Sequence, residues 1–198
     1  MLSPVSDKDI FETILARRSV RSFKKIKITK GLISGLLEAA VRAPTAMHQE
    51  PWGVVIIQNG QMLKSLSDFA KPLFLAELKK RNLGSLEHSL DVFESPDFNI
   101  FYDADTLIII CGRTSAPFYA ADCWLAAENL MLAACAMGLG SCVIGSAVEA
   151  FNTTGIRRKL GIPEDFTVVA PIALGYSNNK APPALRKAPL IFTTIASD

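Results

Sequence analysis

Apolar residues recur along this chain in two rhythms, one helical and one of short buried runs. Ile10, Phe11, Ile14 and Leu15 share a helical face, which predicts a first helix over residues 7–17 capped by Ser6 or Asp7. Thr29 opens a second helix, in which Leu32, Ile33, Leu36, Leu37, Ala40 and Val41 keep the spacing until Pro44. Two prolines bracket the polar run that follows, so residues 44–52 form a loop. Val54-Val55-Ile56-Ile57 then reads as a buried strand over 53–58, ended by an Asn59-Gly60 turn.

From residue 61 to 102 the pattern weakens. Met62, Leu63, Leu66 and Phe69, and again residues 73–78, fit short helices. Mixed charges, Gly84 and the Ser95-Pro96-Asp97 turn point to a flap or lid. A second strand is predicted over 106–111, and a helix of about 19 residues, hence about 28 Å, over 119–137. That helix is apolar on nearly every face, and a dimer interface is the simplest place to bury it. A third strand falls at 141–145, helical residues at 148–160 break near Thr153-Thr154-Gly155, and a fourth strand runs over 167–176. Pro171 predicts a sheet edge or a bulge there. A polar loop with three prolines (178–189) and an extended tail (190–195) complete an α/β or α+β layer structure, read as a single domain over 1–198.

Composition narrows the setting. At 198 residues the chain is long enough for a real core, and 49% hydrophobic residues with a mean hydropathy of +0.27 imply apolar surface buried against another chain. The net charge of +2, from 21 basic and 19 acidic residues, creates no global field for nucleic acid or an anionic membrane. Any anion site must be local. Cys111, Cys123, Cys135 and Cys142 form no C-x-x-C pair and lie in apolar company, so they read as buried, reduced thiols, with a disulfide or metal set as the alternative. No basic region followed by an apolar stretch opens the chain, which makes the cytoplasm the expected location. Residues 123–145 resemble a membrane span, but Glu128 near the middle would cost roughly 2.5–3.5 kcal/mol, and Gly138 and Gly140 break the run.

Candidate chemistry concentrates in Ala16-Arg17-Arg18-Ser19-Val20-Arg21-Ser22-Phe23. Three guanidiniums and two hydroxyls after a helix form an anion clamp, since each guanidinium offers a fork of donors that matches phosphate; a solvated basic turn is the alternative. No nucleophile elbow, P-loop or H-E-x-x-H is present, and His48 and His88 are not placed to bind a metal together. Gly138-Leu139-Gly140 is a fragment of a dinucleotide fingerprint but follows a helix, where a C-cap is the simpler explanation. With no obvious side-chain acid or base, the chemistry points to a cofactor.

In kind, order and spacing, several segments together resemble the nitroreductase family of FMN flavoproteins. They are Arg17-Arg18-Ser19-Val20-Arg21-Ser22-Phe23, Ala43-Pro44-Thr45-Ala46 with Gln49-Glu50-Pro51-Trp52, and Gly138-Leu139-Gly140-Ser141-Cys142-Val143-Ile144-Gly145. Ala126-Ala127-Glu128-Asn129-Leu130-Met131-Leu132-Ala133-Ala134, Leu160-Gly161-Ile162-Pro163 and Leu174-Gly175-Tyr176 add to it. The resemblance implies an α+β fold with a mostly antiparallel central sheet wrapped by helices, and an intertwined homodimer with FMN at the interface. It assigns Arg17, Arg18 and Ser19 to the phosphate and ribityl chain, and Arg21 to the pyrimidine edge, where a cation stabilises negative charge on the reduced ring. Pro44, Thr45, Ala46 and His48 match the loop along the isoalloxazine, given by the partner subunit. Val143 and Ile144 match residues that pack on the ring, and Gly145 the N–H that faces flavin N5. Arg186 or Lys187 matches a second basic element on the phosphate.

Departures are His48, where the family most often has Asn, and Glu50, where it most often has Gln. Asn99 is a candidate for the pyrimidine edge, with an ordinary loop asparagine as the alternative, while Asp122 reads as a capping or pairing residue rather than a catalytic one. The implied activity is hydride transfer from NADH or NADPH through FMN to a nitroaromatic, quinone or similar acceptor, with ping-pong kinetics. Reductive dehalogenation or enone reduction on the same scaffold, and a flavin-binding sensor or store without turnover, are the alternatives.

Overall fold

The computed structural model describes residues 9–80, 92–179, 182 and 185–196. Helix α1 (Ile10–Ala16) is shorter than the expected 7–17, because Asp9 caps it by accepting the Glu12 N–H at 2.7 Å. The expected caps Ser6 and Asp7 lie outside the described residues. Thr29 caps α2 (Lys30–Ala40) by accepting the Leu32 N–H at 3.3 Å. Strand β1 (Trp52–Ile57) follows the loop, and α3 (Gly60–Lys80), β2 (Thr106–Arg113), α4 (Tyr119–Ala136), β3 (Gly140–Val143), α5 (Val148–Phe151), α6 (Thr154–Lys159) and β4 (Phe166–Gly175) complete the order.

All strand pairs are antiparallel and the sheet order is β1-β2-β4-β3. Alternation along β2 divides the core in two. Leu107, Ile109 and Cys111 face the layer that holds α3, α5 and Phe101, while Ile108 and Ile110 face α2 and α4. With helices on both faces of an antiparallel sheet, the chain is an α+β fold.

Pro171 does not sit on an edge, because β4 is central. The expected bulge is present, and on β4 itself: Ile110 faces Ala170 and Cys111 faces Val168, so Val169, two residues before Pro171, has no partner on β2. On the other side Pro171 accepts the Ile144 N–H at 2.8 Å where β3 ends, so its missing donor falls where no ladder continues.

The short helices expected in the first part of 61–102 are corrected, since that part is one 21-residue helix. Leu63, Leu66 and Ala70 bury its face against the sheet. Polar bonds then fix the segment beyond the undescribed 81–91 stretch. Lys71 Nζ donates to the Ser95 and Phe98 carbonyls at 3.1 and 2.9 Å, and Ser67 Oγ accepts the Ile100 N–H at 3.1 Å.

Helix α4 is also not buried all round in one chain. It buries Cys123, Ala126, Ala127, Leu130 and Ala134 but leaves Trp124 and Leu125 exposed. Its first turn seats on β2 at Gly112, where a Cβ would lie 2.5 Å from the Tyr119 ring. Among the described residues no helix is long and apolar enough to cross a membrane.

Beside β3, Val20 donates to the Ser141 carbonyl at 2.9 Å and Ser19 bridges Ser141 in parallel, adding the basic segment to the sheet edge. Gly140 permits this, since a Cβ there would lie 2.9 Å from the Cβ of Val20. Gly140→Ala should therefore destabilise the fold by about 1–3 kcal/mol in urea unfolding. Val20→Ala in the same chain should recover part of that loss, whereas strictly additive effects would show that the two residues do not press on each other.

Candidate functional site

The site grows from the turn between α1 and α2. Arg17 extends its guanidinium toward α4, where Nε lies 3.4 Å from Oε1 of the half-exposed Glu128. Arg18 turns back on the chain. Its guanidinium donates to the carbonyls of Leu15, Arg17 and Pro182, the last at 3.2 Å. Ser19 and Arg21 are exposed. Asn178, which the sequence pattern does not single out, holds the segment in place: its amide donates to Ser22 Oγ at 3.1 Å and to the Phe23 carbonyl at 2.8 Å.

The seat on β3 brings this segment to the residues that end the strand. Val143 is half-buried and Gly145 is exposed, but Ile144 is 3% exposed and belongs to the core. Its N–H is given to Pro171 and its carbonyl accepts the Ala147 N–H at 3.1 Å, so of the three residues it presents least to a ligand. Gly145 opens a short turn, Gly145–Ala147, where helical bonding leaves the first N–H groups without an intrahelical acceptor.

Next to Arg21 opens a recess of about 480 Å³ lined by Lys24, Lys25, Asn99, Tyr102 and Asn178 among others. The Arg21 guanidinium lies 6.0 Å from the Tyr102 ring centroid, at the outer limit of a cation–π contact. Asn99 lines the recess, yet its amide serves the turn, accepting the Phe101 N–H at 2.9 Å and donating to Asp103 Oδ1 at 3.3 Å.

The loop with Pro44, Thr45, Ala46 and His48 stands elsewhere. It leads into β1, at the opposite edge from β3, and three strand spacings separate those edges by about 14 Å. Its backbone is strained, with Met47, His48 and Glu50 at φ of 54°, 52° and 43°. Ala46 N–H donates to Oδ1 of the buried Asp122 at 3.2 Å. Arg186 and Lys187 are exposed in the extended tail and join neither group through an ion pair among the described residues.

A match to the nitroreductase family spans residues 14–176 and takes in the basic segment, the loop before β1, the recess-lining turn and β3, leaving out Asn178 and the tail. The chain belongs to the nitroreductase family. It is 29% identical over 176 residues, 87% of this chain and 79% of the other, to a protein of Methanothermobacter thermautotrophicus provisionally named an NADH dehydrogenase/NAD(P)H nitroreductase. A Bacteroides fragilis nitroreductase crystallised with bound FMN superposes with a TM-score of 0.79 at 30% identity, over 96% of this chain and 100% of that one. The scaffold also matches an iodotyrosine deiodinase bound to FMN and 3-iodo-L-tyrosine, with a TM-score of 0.72 over 94% of this chain and all of the other. At 23% identity that last likeness concerns the fold alone.

Three of the four cysteines are held as thiols. Burial pushes the Cys111 thiol up to about 11 and the Cys123 thiol up to about 12. Cys142 is also raised by burial, in part offset by the charges of Arg21 and Arg17. A raised pKa keeps these thiols protonated through pH 8, and the thiolate is the nucleophile. An aromatic disulfide reagent at pH 8 should label at most one cysteine quickly, the half-buried Cys135, and all four in guanidinium. Rapid labelling of Cys142 in the native protein would contradict this.

Proposed function

We propose that this protein is an FMN-dependent oxidoreductase that takes electrons from NADH or NADPH and reduces nitroaromatic, quinone or related small acceptors. The carrying observation is the basic segment bridged to β3 at Ser141, which sets Arg17, Arg18 and Arg21 on the sheet edge whose strand runs on to the exposed Gly145, in a chain of this family. These donors fit a ligand with a phosphate at one end and a planar acceptor system at the other. When bound, FMN supplies a two-electron carrier. The chain itself supplies binding, orientation and charge.

In this reading Arg17, Arg18 and Ser19 hold the phosphate end. Arg18 already gives part of its fork to backbone carbonyls, so it presents a fixed rather than a searching cation. Arg21, exposed beside the recess, acts on the pyrimidine end, where its charge favours added electrons. One recess receives donor and acceptor in turn, which gives ping-pong kinetics.

Two observations support a homodimer that builds each site from both subunits. The loop with Thr45, Ala46 and His48 and the segment with Arg17 and Arg21 occupy opposite sheet edges, so one copy of the chain does not bring them together. Large apolar surfaces also stand open, among them Phe11 of α1 at 72% and Phe192 of the tail at 94%, more than a monomer keeps in water.

The purified protein should carry a flavin spectrum, and anaerobic NADH or NADPH should bleach it; bound flavin that resists both nucleotides would make this a binding protein without turnover. Arg17→Ala should weaken FMN affinity by about tenfold. Arg21→Ala should lower the flavin midpoint potential by about 30 mV, the two-electron equivalent of a tenfold change, read by dye-equilibrated reduction. Equal losses of affinity in the two variants with no change of potential would leave only an anion clamp.

A further inference from the structure

Asp122, read from the sequence as a capping or pairing residue, pairs with a loop far away in the chain. It lies in the first turn of α4, 3% exposed, and its second oxygen, Oδ2, has no hydrogen-bond partner. A buried carboxylate oxygen without a donor costs free energy that apolar packing does not return. Such a group persists where its other oxygen does something that a hydrophobic residue cannot.

That other oxygen accepts the Ala46 N–H at 3.2 Å. Among the described residues this is the only hydrogen bond between residues 44–50 and the rest of the chain. Within the loop, Ala46 accepts the Gln49 N–H at 3.1 Å, closing a turn in which Met47 and His48 hold left-handed backbone. Side chains pin it little, because His48, Gln49 and Glu50 are exposed, Met47 is 74% exposed, and only Thr45 and Ala46 are half-buried. Non-glycine residues at positive φ persist only when their surroundings over-determine them. Here the hydrogen bonding from outside the loop reduces to one carboxylate, itself favoured in the first turn by the helix dipole and fixed on β2 where Gly112 admits the Tyr119 ring.

We infer that Asp122 is the positioning residue of the loop over 45–49, setting its strained shape through the Ala46 N–H and so its presentation to flavin. The flavin half of this inference rests on the function proposed above, in which that loop lies along the isoalloxazine; the anchoring half does not. Asp122 touches no reacting atom and acts through the loop.

Amide hydrogen exchange on the full chain, with FMN titration by fluorescence quenching, tests it in the wild type, Asp122→Ala and Asp122→Asn. In the wild type the Ala46 amide should exchange more slowly than those of Met47 and His48. Asp122→Ala should speed Ala46 exchange and weaken FMN binding by about tenfold each, the effect of losing a charge-assisted bond, and should alter the visible circular dichroism of bound flavin. In Asp122→Asn the amide oxygen accepts the same N–H, so protection and affinity should return to within about threefold. Should Asp122→Ala not fold, wild-type exchange and Asp122→Asn decide the matter. An Ala46 amide as fast as its neighbours in the wild type, or unchanged exchange and affinity in Asp122→Ala, overturns the inference. A wild type that binds no FMN overturns the proposed function instead, and Ala46 exchange then judges the anchor alone.

Discussion

A four-stranded antiparallel sheet has two edges, and in this chain each edge carries a different half of the candidate site. On the β3 edge the basic segment completes the sheet by a parallel bridge and the Val20–Ser141 hydrogen bond, which leaves Arg21 beside an open recess. On the β1 edge the loop with Ala46 and His48 enters the sheet under the start of α4. Because strand order fixes the distance between edges, no side-chain adjustment joins the halves within one copy. The proposed dimer follows from this constraint as much as from apolar surface.

The helices serve the edges. α4 crosses from β2, where Gly112 admits Tyr119, toward the turn that precedes β3, and along the way it meets Ala46 through Asp122 and Arg17 through Glu128. One rigid element therefore references both halves, and a shift of α4 is felt at both. Its partner α2 is tied to it by the Asn129 amide, which donates to the Ala39 carbonyl at 3.2 Å. On the opposite face Asn152 fixes α5 to β4 by accepting the Val168 N–H at 2.7 Å and donating to its carbonyl at 3.0 Å.

Hydrophobic rhythm alone makes most of this scaffold legible. The four strands and the helices α2, α4, α5 and α6 fall where apolar spacing and turn residues put them, within a residue or two at most ends, because burial sets both the pattern and the element. The long α3 escapes that logic. Pro72 and scattered charges hide a helix whose buried apolar residues are Leu63, Leu66 and Ala70, joined on that face by the buried polar Ser67 and Lys71. The apolar face of α1 is legible as a face but not as an exposed one, since periodicity reports what must be covered and not which chain covers it. For the site, the arginines are visible as a cluster and Asp122 as a capping or pairing residue without its partner, whereas Asn178, Ser67 and Lys71 are not. Each acts on a backbone group distant in sequence, and a single polar letter carries no signal of such a partner.

The strained backbone makes the same point physically. All non-glycine residues at positive φ among the described residues fall in two loops, Met47, His48 and Glu50 in one and Tyr102 and Asp103 in the other. Each such residue costs on the order of 1–3 kcal/mol, so each loop needs an external brace. In both cases that brace is polar and sits on a helix: Asp122 of α4 for the first, and Ser67 with the buried Lys71 of α3 for the segment leading to the second. An apolar residue in those places would pack equally well but would leave the loop free to relax. Strain of this kind persists where the relaxed shape is the wrong one. The two loops are also those that carry His48 and that line the Arg21 recess, so the polar braces hold the parts of the molecule that its hydrophobic core leaves unspecified.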